Sequence, residues 1–371
     1  MRILVAPDSF KGSLSATKVA AAVGRGLSRV NPGIEAVLVP MADGGEGTLD
    51  VLQGHGMELV EVPLRDHQGR LVRATVARRE GFFFIESAQA CRFEPGATPD
   101  MALTASSEGV GRLIEYALDQ GATDIFLTLG GTASTDGGSG MLAHLGARIL
   151  DQHGQSLPPG GGSLETAAGV LLSGIDPRVR KVTITVVTDV DAPLLGPLGA
   201  ARQFGPQKGA DARAVDILEA GLEKFCSLLG REAVSTPGAG AGGGIGYGAL
   251  AGLGASAAPG AATIAEIVGL PSMLSECDGV ITGEGSMDAQ SFGGKVVGFV
   301  SGIAQERKIP GGVICGQRFL GNDADALLQA QGIGWVQALV DSAPSVDHAT
   351  EHAEEWVEEV AYRIGREMVG S

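Results

Sequence analysis

The chain has 371 residues, 44% of them apolar but only 4% aromatic, with 59 glycines and a formal net charge of −16. Length and apolar content suit two domains or one large α/β unit around an aliphatic core, and with no G-X-Y period the glycines read as loop punctuation rather than fibre. The acidic balance argues against a nucleic-acid partner, which needs a basic footprint, and against an anionic membrane surface.

Taken in order, Arg2–Ala6 reads as a buried parallel strand, followed by the loop Pro7-Asp8-Ser9-Phe10-Lys11. Pro7-Asp8 breaks the apolar run too early for a signal peptide. Ser13 or Ser15 caps a helix running to about Val30, with Val19, Ala20, Val23 and Leu27 on one face. Ala36–Pro40 is a second strand. It empties into Asp43-Gly44-Gly45-Glu46-Gly47-Thr48, and a helix follows to Gln53. Glu58–Ser87 then changes to period-two alternation, with strands at Leu71–Ala77 and Gly81–Glu86, the pattern of antiparallel hairpins.

Ser106–Gln120 is a helix and Asp124–Leu129 a strand. That strand opens into Gly130-Gly131-Thr132-Ala133-Ser134-Thr135-Asp136-Gly137-Gly138, after which Met141–Leu145 resumes helical spacing. Strand, glycine turn, carboxylate and helix is how an α/β protein builds a site at the carboxyl edge of its sheet. Val182–Val187 is a strand ending in Thr188-Asp189-Val190-Asp191, and Phe204–Ala210 is a second basic glycine loop. Asp211–Leu229 is a helix, and Pro237–Gly248 is the densest glycine run. The uncharged stretch 233–265 is too rich in glycine and too weakly hydrophobic to span a membrane.

From Ser275 the βα rhythm returns. Asp278–Thr282 reads as a strand, Gly283–Gly294 as a long loop and Lys295–Arg307 as a helix. Gly312–Cys315 is a strand, Asp323–Gln331 a helix, Trp335–Val340 a strand, and one helix runs from His348 to about Met368. The two ends share one style and the middle another. The expected fold is therefore α/β with two α/β domains. One is Rossmann/flavodoxin-like, with a parallel sheet, and discontinuous (1–58 and 267–371). The other is an inserted domain with a mixed sheet (59–266).

The four cysteines, Cys91, Cys226, Cys277 and Cys315, lie far apart without a C-x-x-C and read as free thiols of a reducing cytoplasm. Acids recur at strand ends: Asp8, Asp43, Asp136, the pair Asp189/Asp191, and Glu284 with Asp288. Singly, each has a plain reading. Asp43 with Glu46 fits a capping box and Asp136 a helix N-cap. Asp189 and Asp191, two apart, suit a hard cation such as Mg²⁺ or a solvated turn. Of seven lysines, Lys11, Lys208 and Lys295 fall in glycine-flanked loops. Carboxylates for a metal beside lysines for phosphate oxygens is the combination phosphoryl transfer uses. The run Phe292-Gly293-Gly294-Lys295-Val296 lacks the remainder of a Walker A motif, and the G-x-G-x-x-G at 238–243 follows no expected strand. The six histidines avoid the acid loops, which leaves zinc chemistry and a Ser/His/Asp triad without support.

Ala6-Pro7-Asp8-Ser9-Phe10-Lys11, Met41-Ala42-Asp43-Gly44-Gly45-Glu46-Gly47-Thr48, the Gly130–Gly140 loop, Phe204-Gly205-Pro206-Gln207-Lys208-Gly209 and Thr282-Gly283-Glu284-Gly285 stand in this order along nearly the whole chain. In this the chain resembles the bacterial glycerate kinase family, of the type that phosphorylates the 2-hydroxyl. The resemblance implies ATP and Mg²⁺ as cosubstrates, D-glycerate as acceptor, and two α/β domains with the site in the cleft between them. On that reading Asp189 and Asp191, with Glu284 and Asp288, hold Mg²⁺, and Lys11, Lys208 and Lys295 balance anionic charge. Asp43 or Asp136 accepts the hydroxyl proton. Asp8, Ser9, Gly44, Gly45, Glu46, Gly130, Gly131, Thr132, Gly137 and Gly138 line the substrate and phosphate. Thr135 and Ser286 depart from the pattern, where Asn and Arg are expected, and the second removes a positive charge beside Glu284. The alternatives are phosphorylation at the 3-hydroxyl, or a non-catalytic sensor of a sugar acid or nucleotide. The protein is expected in the cytoplasm as a monomer or homodimer.

Overall fold

The structure, a computed structural model, describes residues 1–321 and 328–370. Its strands are β1 (Arg2–Pro7), β2 (Glu35–Leu38), β3 (Glu58–Arg65), β4 (Leu71–Arg79), β5 (Phe82–Glu86) and β6 (Asp124–Thr128). They continue as β7 (Arg148–Leu150), β8 (Gly169–Leu171), β9 (Thr183–Val187) and β10 (Ser256–Ala258), and end with β11 (Gly279–Met287), β12 (Gly311–Arg318) and β13 (Ile333–Ala338). The chain divides into two compact units. The first comprises Met1–Asp43, Asp50–His55 and Pro259–Ser371, and the second Gly44–Leu49 and Gly56–Ala258. The sequence reading placed its boundaries at 58/59 and 266/267.

In the first unit every strand pair is parallel and the order is β13-β12-β11-β1-β2. This is the doubly wound order in which the connection reverses between β1 and β11, and such a reversal opens a crevice at the carboxyl ends of the strands. β1 is a run of β-branched and aliphatic residues because helices cover both faces of the sheet; Ile3, Leu4 and Val5 are fully buried. The helix Ala16–Val30, capped by Ser15, buries Val19, Ala20, Val23 and Leu27 on one stripe. It lies against the helix Ala353–Gly370. Gly26 makes that approach possible, since a Cβ there would sit 2.4 Å from the Glu358 carbonyl oxygen.

The second unit has a six-stranded mixed sheet, β10-β9-β6-β5-β4-β3, and the small antiparallel pair β7-β8. β3, β4 and β5 pair antiparallel, as their alternation predicts, while β5, β6, β9 and β10 are parallel. Along β3 the buried residues are Val62 and Leu64, with Glu61, Pro63 and Arg65 exposed between them. All four cysteines are free and buried.

Several local expectations need correction. β11 continues to Met287, so Glu284 sits within a strand rather than in a long loop. The segment stays extended because 283–287 finds a second partner row in 314–318 of β12. The C-terminal helix is two helices, Val346–Glu351 and Ala353–Gly370, separated at His352. The glycine run 237–248 contains the start of a helix, Ile245–Leu253, which polar and apolar periodicity could not announce. Most of the helix expected at Asp323–Gln331 lies outside the described residues. Among the described residues no helix is long and apolar enough to cross a membrane.

Candidate active site

A cavity of about 300 Å³ opens at the carboxyl edge of the parallel sheet of the first unit. Its charged lining comes from the ends of three neighbouring strands and the loops beyond them: Asp8 and Lys11 after β1, Asp43 after β2, Glu284 on β11, and Asp288 and Lys295 behind it. Asp8 is held there by the sheet itself, its amide donating to the Gly283 carbonyl at 2.8 Å. Its Oδ1 accepts from the Ser9 amide at 2.6 Å. Burial pushes the Asp8 carboxyl up to about 7, and the neighbouring Asp43 adds to this, while the Ser9 amide and Lys11 pull the other way.

Glu284 is likewise raised, first by burial, with the Ser291 hydroxyl and Lys295 opposing and Asp288 and Asp43 adding to the rise. Among the described residues its buried Oε1 has no hydrogen-bond partner. Asp288 is committed locally. Its carboxylate accepts from the amides of Gln290 at 2.8 Å and Ser291 at 3.3 Å and caps the short turn of helix at 289–292. Lys295 occupies the N-cap position of the helix Val296–Glu306. Asp43 is not a capping-box residue. The next helix begins only at Thr48, and the Glu46 carboxylate is paired with Arg92 at 2.9 Å.

In the second unit Asp136 is fully buried. Its carboxylate accepts from the amide and hydroxyl of Ser107, both at 2.8 Å, from the Gly138 amide at 3.1 Å and from the Gly140 amide at 3.2 Å. These groups begin the helices Glu108–Asp119 and Ser139–His144, so Asp136 ties two helix starts together. Burial raises its pKa while all four donors hold it down. Gly137 and Gly138 stand at φ 64° and 76°, which a side chain would strain.

Lys208 is also buried, and its Nζ donates to the Ser134 carbonyl at 2.7 Å. Burial lowers its pKa to about 8, with Cys91 and Asp136 opposing. A second cavity of about 300 Å³ is bounded by Lys208, Gly130, Gly131, Thr132, Phe93 and Phe204. Gly45 also belongs here: its Cα lies 3.2 Å from where a Cβ on Gly130 would sit. Much of the glycine run is explained by this close backbone contact, since a Cβ on Gly243 would meet the Ser134 carbonyl oxygen at 1.9 Å.

Thus the first unit brings together Asp8, Ser9, Lys11, Asp43, Glu284, Asp288 and Lys295. Gly44, Gly45 and Glu46 group with the second unit, as do Gly130, Gly131, Thr132, Asp136, Gly137, Gly138 and Lys208. Asp189 and Asp191 follow β9 in that unit, Asp191 being exposed. Among the described residues no group of three or more His, Cys, Asp or Glu side chains is assembled to hold a metal. Sequence reasoning missed Gln317, at the end of β12, and Leu339, Val340 and Thr350 beyond β13, all of which line the first cavity. Their signal was position alone: they follow parallel strands, but none is an acid or lysine.

Comparison with known proteins gives one consistent result. The sequence model described as the glycerate kinase family matches residues 3–369. Glycerate kinase of Bacillus subtilis (strain 168) is 38% identical over 98% of this chain and 97% of its own length. Glycerate 2-kinase of Escherichia coli (strain K12) is 37% identical over 94% of this chain and 93% of its own. A crystal structure assigned as a glycerate kinase 2 from Salmonella typhimurium LT2 superimposes with a TM-score of 0.85 at 34% identity, covering 100% of this chain and 98% of that one.

Proposed function

Because the chain belongs to the glycerate kinase family, we propose that it transfers the γ-phosphoryl group of ATP to the 2-hydroxyl of D-glycerate, with the reaction centred on the charged cavity of the first unit. The observation that carries this is the juxtaposition of Asp8, Asp43 and Glu284 with Lys11 and Lys295 at one sheet edge. The position of the product phosphate rests on the relative named glycerate 2-kinase.

Phosphoryl transfer asks little covalent chemistry of a protein. It needs the acceptor hydroxyl in line with the γ-phosphorus, a base for its proton and positive charge around the transferring oxygens. Asp43 is our choice of base, because Asp136 spends both carboxylate oxygens on four internal donors. Asp43 takes the hydroxyl proton as the glycerate oxygen bonds to phosphorus. The bond from phosphorus to the β–γ bridging oxygen breaks, and ADP leaves with that electron pair. Lys11 and Lys295 hold the phosphate oxygens and the substrate carboxylate. The second unit's Asp136 and Lys208 keep the Gly130–Gly140 loop in shape.

The residues also fit a divalent cation. A buried carboxylate oxygen without a hydrogen-bond partner among the described residues, Glu284 Oε1, is what a hard ion satisfies. Mg²⁺ binds through one or two carboxylates plus phosphates and water. Glu284, with Asp8 or Asp288, would hold it. When bound, the ion supplies charge neutralisation at the phosphoryl oxygens.

The test is an assay with D-glycerate, ATP and Mg²⁺ coupled directly to enolase without a mutase. Enolase consumes only the 2-phosphate, so its signal supports both activity and position. ADP release without that signal moves the product to the 3-position. No ADP release with any hydroxy acid refutes the kinase reading in favour of a sensor.

A further inference from the structure

The short helix Val346–Glu351 borders the cavity of the first unit. Ala349 and Thr350 line that cavity, as does Ala353 at the start of the next helix. Between the two helices the backbone leaves helical geometry at His352, with φ −111° and ψ 32°. A side-chain hydrogen bond spans this break. The indole Nε1 of Trp356, itself partly buried against the core, donates to Nδ1 of His348 at 3.1 Å. The His348 and His352 rings stack with centroids 4.4 Å apart, and the Trp356 ring meets His348 edge-on at 5.9 Å. An indole N–H can only donate, so Nδ1 of His348 is the acceptor and the ring is neutral with its hydrogen on Nε2. A second proton on this ring has only Nδ1 to go to, where it faces the indole N–H donor to donor.

We propose that His348 and Trp356 form a proton-released clip, which holds the 346–351 helix on the cavity wall near neutral pH and frees it as pH falls. The clip depends on the cavity wall and not on which ligand the cavity takes. Histidine is the side chain whose charge changes between pH 5 and 8, and His348 takes that proton only by giving up the Trp356 bond. The stacked His352 adds to the effect, since two charged imidazole rings this close repel. A helix of six residues does not persist without tertiary contacts, so the loss of its clip is felt. The short helix packs against the 339–341 turn and the long helix. On the long helix Glu354, Glu358 and Glu359 are paired with Arg25 and Arg29, and Arg363 reaches Glu359 and the Ser342 hydroxyl. Asp341, Asp347, Glu351 and Glu355 are the other acids of these elements, and Glu355 offers His352 Nδ1 a counter-charge at 3.7 Å. On the cavity side the charged groups are Asp8, Lys11, Asp43, Glu284, Asp288 and Lys295.

Amide hydrogen exchange of the full-length protein at pH 7.5 and 5.5, corrected for the intrinsic rate at each pH, tests this. Protection of 345–352 in wild type is expected to fall about tenfold or more at the lower pH, while the helix Ala16–Val30 stays protected. His348→Asn keeps an acceptor oxygen on the side of Nδ1 but takes no proton, and its protection is expected to differ less than about twofold between the two pH values. Trp356→Phe removes the donor, and the segment is expected to be weakly protected at both. Constant protection in wild type overturns the clip. So does a fall that His348→Asn shares, or one in which Ala16–Val30 joins. Under the kinase reading, the KM of ATP or of D-glycerate is expected to rise about threefold more in wild type than in His348→Asn between the same pH values, and equal rises for both substrates overturn the tie to the cavity wall. The exchange measurement needs no turnover, so a failure of the kinase reading is seen separately.

Discussion

Replacing Asp8 by Asn is expected to make the ligand-free protein more stable and less active. Asp8 is carried in the cavity wall with a carboxyl raised from 3.8 to about 7, chiefly by burial. A carboxyl whose folded pKa lies above its unfolded one keeps its proton longer when folded, so the folded state is favoured below the unfolded pKa and loses ground as pH rises through the window from 3.8 to about 7. At about 1.4 kcal/mol per pKa unit, the ceiling on that loss is roughly 4 kcal/mol, and relaxation and water entry reduce it to about half. Asn has the same shape and keeps an oxygen for the Ser9 amide, now 2.6 Å away. Asp8→Asn should therefore gain about 2 kcal/mol at pH 8, several degrees in Tm for a unit of this size, with the gain vanishing toward pH 4. Thermal melts of both proteins at pH 4, 6 and 8, read by circular dichroism, measure it. A gain equal at pH 4 and pH 8, or none at pH 8, would refute the reasoning that burial holds this proton. Turnover of the variant should fall, which is the usual trade between a strained site and its stability.

Other outcomes follow from the same geometry. Asp43→Asn should lower kcat by roughly 10²–10⁴-fold with little change in Tm, and a variant that melts earlier yet turns over normally would remove Asp43 from the mechanism. Asp136→Ala strands donors on Ser107, Gly138 and Gly140 in a buried site and should cost roughly 3 kcal/mol or more in urea unfolding. Gly243→Ala should be destabilised by more than about 2 kcal/mol, since its φ is +68° and its Cβ would strike the Ser134 carbonyl; unchanged denaturation midpoints would show that the two loops separate easily. Glu284→Gln should raise the Mg²⁺ concentration needed for half-maximal rate several-fold, while leaving the unfolding midpoint of the metal-free protein within about 1 kcal/mol.

The strands of the first unit were readable because a strand buried on both faces is a continuous apolar run, as in Ile3–Ala6, and a hairpin sheet alternates, as at Glu58–Arg65. The cap on the first helix was narrowed in the sequence to Ser13 or Ser15, and the fold selects Ser15, whose hydroxyl accepts from the Lys18 amide. Local chemistry of that kind is written in a few neighbouring residues. The acids and lysines were equally legible as a set, because the acids recur at strand ends and Lys11, Lys208, Lys295, Asp43, Asp136 and Glu284 each stand beside glycine. Their division was not. Asp43 and Asp136 look alike in sequence, each followed by two glycines, yet one lines a cavity and the other is saturated by four donors. What separates them is Ser107, far off in the chain, whose amide and hydroxyl reach Asp136 only after folding. Lys208 differs from Lys11 and Lys295 for the same reason: burial against Ser134 is a tertiary fact. The part that Leu339, Val340 and Thr350 play in lining the cavity was invisible because they carry no chemical signature. The sequence by itself determined which residues have charge to offer and which segments are strands. The tertiary structure alone decided which charges are solvated, paired or buried, because desolvation and hydrogen bonding depend on neighbours that no local pattern names.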